Sequence, residues 1–424
     1  MLTNGIDLDS LIRIKSAQFK NINNNLNNND LATSASSNKS LRTSSPIHET
    51  CRLHRVVLTG GPCAGKTTSI SRIKTFFENI GWKVLCVPET ATILLSSGAY
   101  FCDLNDESKI LFQENLLKTM LQIEDTINEI AKQYVSVRNQ KCLVIYDRGA
   151  MDPVAFLNPN DWEQLKVRNP AWNEVDLRDN RYDQIIHMVT AANGAEQFYT
   201  LENNVTRTES IELAREIDEK CSKVWIGHPV LDCIDNCGGF EVKIARTLQI
   251  VCERIGLRLK GFGVGTIKRK FLVKSLPDDS VFPDFKELNL VHNYLVSNTH
   301  DSQARIRKSG QSGNWSYSYV IRFIEDDQQV ETRSQVDSQE YSILTKTIDQ
   351  NHWTIYQKRR CFIWRHRYYR LDVFEEPCNS RCRGLILLST RSRDPDSFLP
   401  QFIEIEREVT NDDAYSMFNL SSKR

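Results

Sequence analysis

The chain has no surplus of charge. Lys plus Arg and Asp plus Glu each number 54, so no global field draws it to nucleic acid or to an anionic surface, and any basic site must be local. It has no apolar run approaching the roughly 20 residues of a membrane span. Its first residues, Met-Leu-Thr-Asn-Gly-Ile-Asp, lack a basic stretch followed by an apolar one, so the expected location is the cytoplasm. Its 12 cysteines include Cys233 and Cys237, and Cys378 and Cys382, yet no two CxxC units combine into a zinc site. Free thiols in a reducing compartment are expected. With no RNA-recognition motif, helix-turn-helix or aromatic stacking motif, no nucleic-acid partner is expected.

What the chain does have is size and pattern. Its 424 residues, 40% hydrophobic and 25% charged, suit two domains rather than one core. Residues 1–50, rich in Asn and Ser, bury too little apolar surface to fold and are expected to form a disordered tail. Residues 51–257 alternate β-branched runs (54–59, 83–88, 142–147, 182–189, 229–235) with helical patterns (106–135, 208–224, 241–256), the signature of a parallel sheet with crossover helices. Gly261, Gly263 and Gly265 mark a linker at 258–265. Residues 266–424 read as strands at 266–274, 290–298, 303–309, 314–325, 353–363, 365–375, 383–390 and 401–409, with one helix at 337–348. That pattern predicts an antiparallel sheet curled into a barrel or tunnel.

Residues 60–67, Gly60-Gly61-Pro62-Cys63-Ala64-Gly65-Lys66-Thr67, match in every position the pattern of Gly, four residues, then Gly-Lys and Ser or Thr. They follow Val-Val-Leu-Thr and precede a helical run that begins at Thr68, so pattern and context agree on a phosphate-binding loop. Glycines let backbone N–H groups turn toward phosphates. Lys66 is expected to reach the β- and γ-phosphates, and the Thr67 hydroxyl to ligate Mg2+. Asp147, ending the apolar run Leu-Val-Ile-Tyr, is the expected second carboxylate on the metal side. Glu89, ending the second strand, points to the same sheet edge as a general base, a positioning charge or a dipole-favoured helix start. Arg148 follows Asp147 directly and is placed to meet phosphate or a second substrate. Arg207 is a candidate for a lid over the γ-phosphate, whereas Arg215 reads as a solvated helix position.

In the second half, basic residues recur at i, i+2: Lys268 and Lys270, Arg305 and Arg307, Lys358 and Arg360, Arg365 and Arg367, Arg391 and Arg393. A strand puts i and i+2 on one face. Between 353 and 393 ten Lys or Arg meet three Asp or Glu, which in a neutral chain calls for an anion. Multivalent phosphates or acidic lipid headgroups fit that concentration, and solvent-facing charge is the competing reading of any single dyad. Glu404, Glu406 and Glu408 alternate likewise and are read as partners for these bases or as holders of a cation.

The runs Leu-Thr-Gly-Gly-Pro-Cys-Ala-Gly-Lys-Thr-Thr, Val-Pro-Glu-Thr-Ala, Tyr-Asp-Arg-Gly, Tyr-Asp-Gln-Ile-Ile-His and His-Pro-Val-Leu-Asp-Cys-Ile-Asp-Asn resemble the P-loop domains of ribosylnicotinamide-kinase type. With the second half, residues 50–424 resemble the insect TRPL translocation defect protein family. That resemblance implies a GTP-binding P-loop domain, with ATP left open, joined to a β-rich domain similar to CYTH triphosphate tunnels. It also implies phosphoinositide binding, reversible peripheral membrane association, and service to the trafficking of a membrane channel. It places Asp235 and Asn236 against the base, although the guanine signature Asn-Lys-x-Asp is absent. The Glu-x-Glu-x-Lys expected on the first tunnel strand is replaced by Ile267-Lys268-Arg269-Lys270-Phe271, which removes metal-holding carboxylates and strengthens anion binding over triphosphatase chemistry. A small-molecule kinase with Glu89 as base is the alternative reading.

Overall fold

The computed structural model describes residues 52–98, 104–199, 210–257, 267–297, 302–325, 328–392 and 399–423. The expected tail, the linker, Arg207 and Arg393 lie outside the described residues. The first part is a five-stranded parallel sheet of β1 (Leu53–Thr59), β2 (Lys83–Val87), β3 (Cys142–Asp147), β4 (Gln184–Met188) and β5 (Leu231–Ile234), in the order β2-β3-β1-β4-β5. Both faces are covered, which is why the strands read as continuous apolar runs. On one face α1 (Lys66–Asn79) brings Ile73, Phe76 and Phe77, which pack with Ile244 and Leu248 farther along the chain. The short α2 (Thr90–Leu95) follows β2. On the other face α3 (Asp106–Ser136) buries Leu117 and Ala131 against Val57, Val144 and Tyr146. Asn105 caps α3 by accepting from Ser108 N at 2.8 Å, and Ser210 caps α4 (Ile211–Lys223) by accepting from Leu213 N at 3.2 Å. The last helix, α5 (Phe240–Ile255), ends at Gly256 with φ +85°.

The second part is one antiparallel sheet of nine strands, β6 (Ile267–Val273), β7 (Phe285–Leu295), β8 (Ser302–Gln311), β9 (Asn314–Glu325), β10 (Gln328–Val336), β11 (Ile355–Trp364), β12 (Arg367–Glu375), β13 (Ile386–Ser392) and β14 (Ile405–Glu408). Their order is β10-β9-β8-β7-β11-β12-β13-β6-β14. The sheet curls so that Lys268 on β6 and Glu331 on β10, far apart in that order, line one cavity. Strand β10 was not expected from the sequence, because Gln-Gln-Val-Glu-Thr-Arg-Ser-Gln-Val lacks the apolar alternation of a half-buried strand. The helix expected at 337–348 is confined to Ser338–Leu344, started by a capping box between Asp337 and Glu340. The two sheets share a core: Leu288, Leu290, Cys361 and Tyr368 of the second pack in the same cluster as Val57, Tyr182 and Trp225 of the first. The Tyr368 hydroxyl donates to His228 O at 3.1 Å and accepts from Gly227 N at 3.2 Å.

Candidate functional site

The loop after β1 is shaped by positions that tolerate no side chain. Gly60 has φ +138°, and a Cβ there would lie 2.1 Å from Met188 O; Gly65 has φ +87°, and its Cβ would lie 2.8 Å from Phe240 Cε2. Cys63 also takes a left-handed φ of 54°, an uncommon cost for a residue with a side chain. Neighbouring segments hold the loop from outside: Thr190 Oγ1 donates to Pro62 O at 2.5 Å, and Ala191 N to Cys63 O at 3.3 Å. Lys66 Nζ donates to Gly60 O at 3.0 Å and Gly61 O at 3.1 Å, which folds its ammonium over the loop. Burial, then Arg148, pushes the Lys66 pKa down. Thr67 and Thr68 are exposed at the start of α1, and Ala64 is buried beneath the loop.

Three of the expected charged residues converge at the carboxyl edge of the sheet. Glu89 Oε1 accepts from Arg148 Nε at 2.6 Å, and Glu89 Oε2 from Thr92 Oγ1 at 2.7 Å. Burial opposes the Glu89 charge, but Arg148 and Lys66 outweigh it and bring its pKa down to about 2. A carboxylate held that low is a weak proton acceptor near neutral pH. Asp147 differs: burial, with Glu89 and Asp152 nearby, raises its pKa, and its Oδ1 is buried without a hydrogen-bond partner. An orphaned carboxylate oxygen at the strand end beside Lys66, with the Thr67 hydroxyl exposed at the next residue of the loop, is a donor set that fits a magnesium ion. Among the described residues no cluster of three or more His, Cys, Asp or Glu makes a metal site by itself. This is expected where phosphate and water supply most of the ligands.

Two residues that sequence reasoning missed brace this edge. Asp218 on α4 accepts from Gly61 N at 2.6 Å and Thr190 N at 3.2 Å, and lies 3.4 Å from His187 Nε2. Asp152 accepts from Thr59 Oγ1 and, at 2.7 Å, from Gly149 N. The signal for Asp218 was a carboxylate set in the buried helical stripe Ala214, Asp218, Cys221. Asp235 and Asn236 are largely engaged by protein. Arg246 Nη1 donates to Asp235 at 2.5 Å; Asn236 Nδ2 donates to Thr190 O at 2.8 Å and Asn193 O at 2.7 Å, and its Oδ1 accepts from Lys243 Nζ at 2.7 Å. Arg215 is half-exposed and paired with Glu196 at 2.9 Å, the solvated helix position expected of it.

A cavity of ≈ 1370 Å³ lies inside the curled sheet rather than at the phosphate loop. Twelve Lys and Arg side chains line it against seven Asp and Glu. Of the ten expected basic residues, Lys268, Lys270, Arg305, Arg307 and Arg391 are on that lining. Lys358, Arg360, Arg365 and Arg367 are not. On β11 the inward residue is Arg359, which pairs with Asp372 at 2.5 Å. Its neighbours point away: Lys358 pairs with Glu375 at 3.3 Å, and Arg360 with Asp279 at 2.6 Å and Glu287 at 3.0 Å. Arg365 sits in the β11–β12 turn with φ 47°, and Arg367 Nη1 donates to Ser392 Oγ at 3.1 Å. Glu404 and Glu408 pair with Lys274 and Arg269. None of the three alternating glutamates lines the cavity.

Within the cavity, Glu331 pairs with Arg322 at 2.8 Å and Arg305 at 3.5 Å, and Lys270 Nζ donates to Tyr415 O at 2.6 Å. The side chains of Lys268, Arg307, Arg333 and Arg370, all on the cavity lining, make no hydrogen bond or ion pair among the described residues. Arg307 Nε and Nη2 are buried and unsatisfied. Burial, then Arg333, Arg359 and Arg305, pushes Arg307 well below its ordinary pKa. Arginine does not give up its proton near neutral pH, so a group of this kind is relieved by an anion. The first part of the chain supplies one wall through Arg52, Arg55 and Arg254. Arg55 lies near the start of β1 and the phosphate loop follows its end, about 17 Å away for the five extended steps to Gly60.

Residues 55–242 match the profile of a family described as an AAA domain. Curated proteins give no match. Among solved structures, the inorganic triphosphatase NE1496 is 22% identical, with 37% of this chain and 95% of that chain covered and a TM-score of 0.28. The PH1819 protein from Pyrococcus horikoshii OT3 is 15% identical over 31% of this chain and 81% of its own, TM-score 0.23. The deoxyadenosine kinase from M. mycoides with bound dATP is 12% identical over 41% and 83%, TM-score 0.23. With its parallel sheet, its intact loop and a profile match to an AAA domain over residues 55–242, the first part of this chain is similar to P-loop-type nucleotide-binding domains.

Proposed function

We propose that the chain is a regulatory protein that binds GTP with magnesium at the loop of residues 60–67, ATP remaining the competing nucleotide, and phosphoinositide headgroups in the basic cavity of its second domain. In this reading a protein without a membrane-crossing helix among its described residues reaches membranes reversibly and serves the trafficking of a membrane protein such as a channel. Lys66 and the loop amides hold the β- and γ-phosphates; Thr67 and Asp147 hold the magnesium ion. The ion neutralises phosphate charge, and Arg148, fixed by Glu89, presents a guanidinium at the same edge. The observation that carries the second half is the set of cavity cations, Lys268, Arg307, Arg333 and Arg370, without protein partners. Sedimentation with liposomes containing phosphatidylinositol bisphosphate tests it. Arg307→Glu/Arg370→Glu is expected to abolish binding that Lys358→Glu/Arg360→Glu retains; equal binding by both double variants would sink the cavity assignment. Competition by soluble inositol phosphates separates headgroup recognition from attraction to the bilayer surface.

A small-molecule kinase is the second reading, favoured by the convergence of Glu89, Asp147 and Arg148 beside the loop. The low basicity of Glu89 weighs against it. Incubation with labelled GTP or ATP and a panel of nucleosides decides the matter, because acceptor-dependent phosphoryl transfer belongs to the kinase alone.

A further inference from the structure

We propose that Phe240 stacks on the nucleobase of the nucleotide held at the phosphate loop, and so distinguishes a nucleotide from a bare polyphosphate. This rests on the nucleotide reading of residues 60–67.

Phe240 opens α5 and is 47% exposed. It belongs to none of the packed clusters of the core, and a single exposed apolar side chain is ordinary on a protein surface. Its position is what marks it. The ring edge lies where a Gly65 side chain would be, with Cε2 2.8 Å and Cζ 3.4 Å from the position of a Cβ. Gly65 is the last loop residue before Lys66, so the ring stands at the margin of the phosphate site. The chain reaches it through Gly238 and Gly239, both at positive φ, and a Cβ on Gly239 would meet nothing beyond its chain neighbours within 4 Å. The first turn of α5, which carries the ring, is itself tied to its neighbours. Lys243, one helical turn on, donates to Val189 O at 2.5 Å and to Asn236 Oδ1, and Asn236 in turn holds the Thr190 and Asn193 carbonyls. An exposed aromatic ring beside a phosphate-binding loop suits a nucleobase, and such stacking tolerates any base because every base has a π-face.

The competing role is a clamp: Phe240 could do no more than press on Gly65 and keep the loop in shape. The two roles differ for a ligand that has phosphates and no base. Binding of GTP and of inorganic tripolyphosphate, each with magnesium, is measured for the full chain, Phe240→Ala and Phe240→Trp. Only the component that Lys66→Ala removes is counted, which subtracts anion binding in the distant cavity. Stacking predicts that Phe240→Ala weakens GTP by about 10-fold or more and leaves tripolyphosphate within about twofold. It also predicts that Phe240→Trp restores GTP binding, with tryptophan emission changed by GTP and not by tripolyphosphate. Equal weakening of both ligands would make Phe240 a clamp and overturn the proposal, as would no weakening of either. If the unaltered chain shows no Lys66-dependent binding of either ligand, the nucleotide reading itself fails and takes this inference with it.

Discussion

Arg307 states the trade between folding and binding most plainly. Its Nε and Nη2 are buried without partners, and the cations Arg333, Arg359 and Arg305 surround it. Nothing in the fold gains from that charge. Arg307→Met is therefore expected to raise stability by about 0.5–2 kcal/mol while weakening phosphoinositide binding, with denaturant unfolding and liposome sedimentation as the two readouts. A variant that loses stability would show that the guanidinium is satisfied in the folded chain. At this scale the phosphate loop was legible because its residue types are dictated by backbone geometry at Gly60 and Gly65. Glu89, Asp147 and Arg148 were legible because strand ends in such sheets converge on one edge. Asp218 was not, because a carboxylate in the middle of a helix reads as solvated until the loop it braces is in place.

Among the elements, strand parity decides which bases face the cavity. Lys358, Arg359 and Arg360 are consecutive, so composition cannot say which one points inward; pairing of β11 with β12 sets Arg359 opposite Asp372 and turns its neighbours outward. A slip of one residue exchanges the faces, which is why the two double variants of the liposome test are expected to part company. Arg365 and Arg367 were assigned to one strand, yet a turn with positive φ at Arg365 and His366 separates β11 from β12. The paired strands of the first sheet were legible throughout, since burial on both faces leaves apolar runs. Strand β10 was hidden for the opposite reason. Its inward face meets water and charge rather than a core, and Glu331 and Arg333 carry no hydrophobic signal.

The whole molecule joins the phosphate loop and the basic cavity through a common core. The cavity shares a wall with the first domain, and His228 sits on that wall. It accepts from Val230 N at 3.0 Å and faces Tyr182 O at 3.2 Å, while its own carbonyl receives the Tyr368 hydroxyl. Burial lowers its pKa from 6.5 to about 4, so the neutral ring is the one the fold holds. Its contribution is fully present above pH 6.5 and is lost as pH falls toward 4. Thermal or denaturant unfolding is expected to show about 2 kcal/mol of stability lost at pH 5 relative to pH 7.5 that His228→Gln does not lose; parallel pH profiles for the two proteins would contradict the assignment. The central claim concerns the other end of β1, and calorimetric titration of the full chain with GTP and with ATP, each with magnesium, tests it most directly. The account predicts saturable binding, tighter for GTP, that Lys66→Ala reduces at least about 100-fold while phosphoinositide liposomes still bind the variant. Nucleotide affinity that survives Lys66→Ala would contradict it.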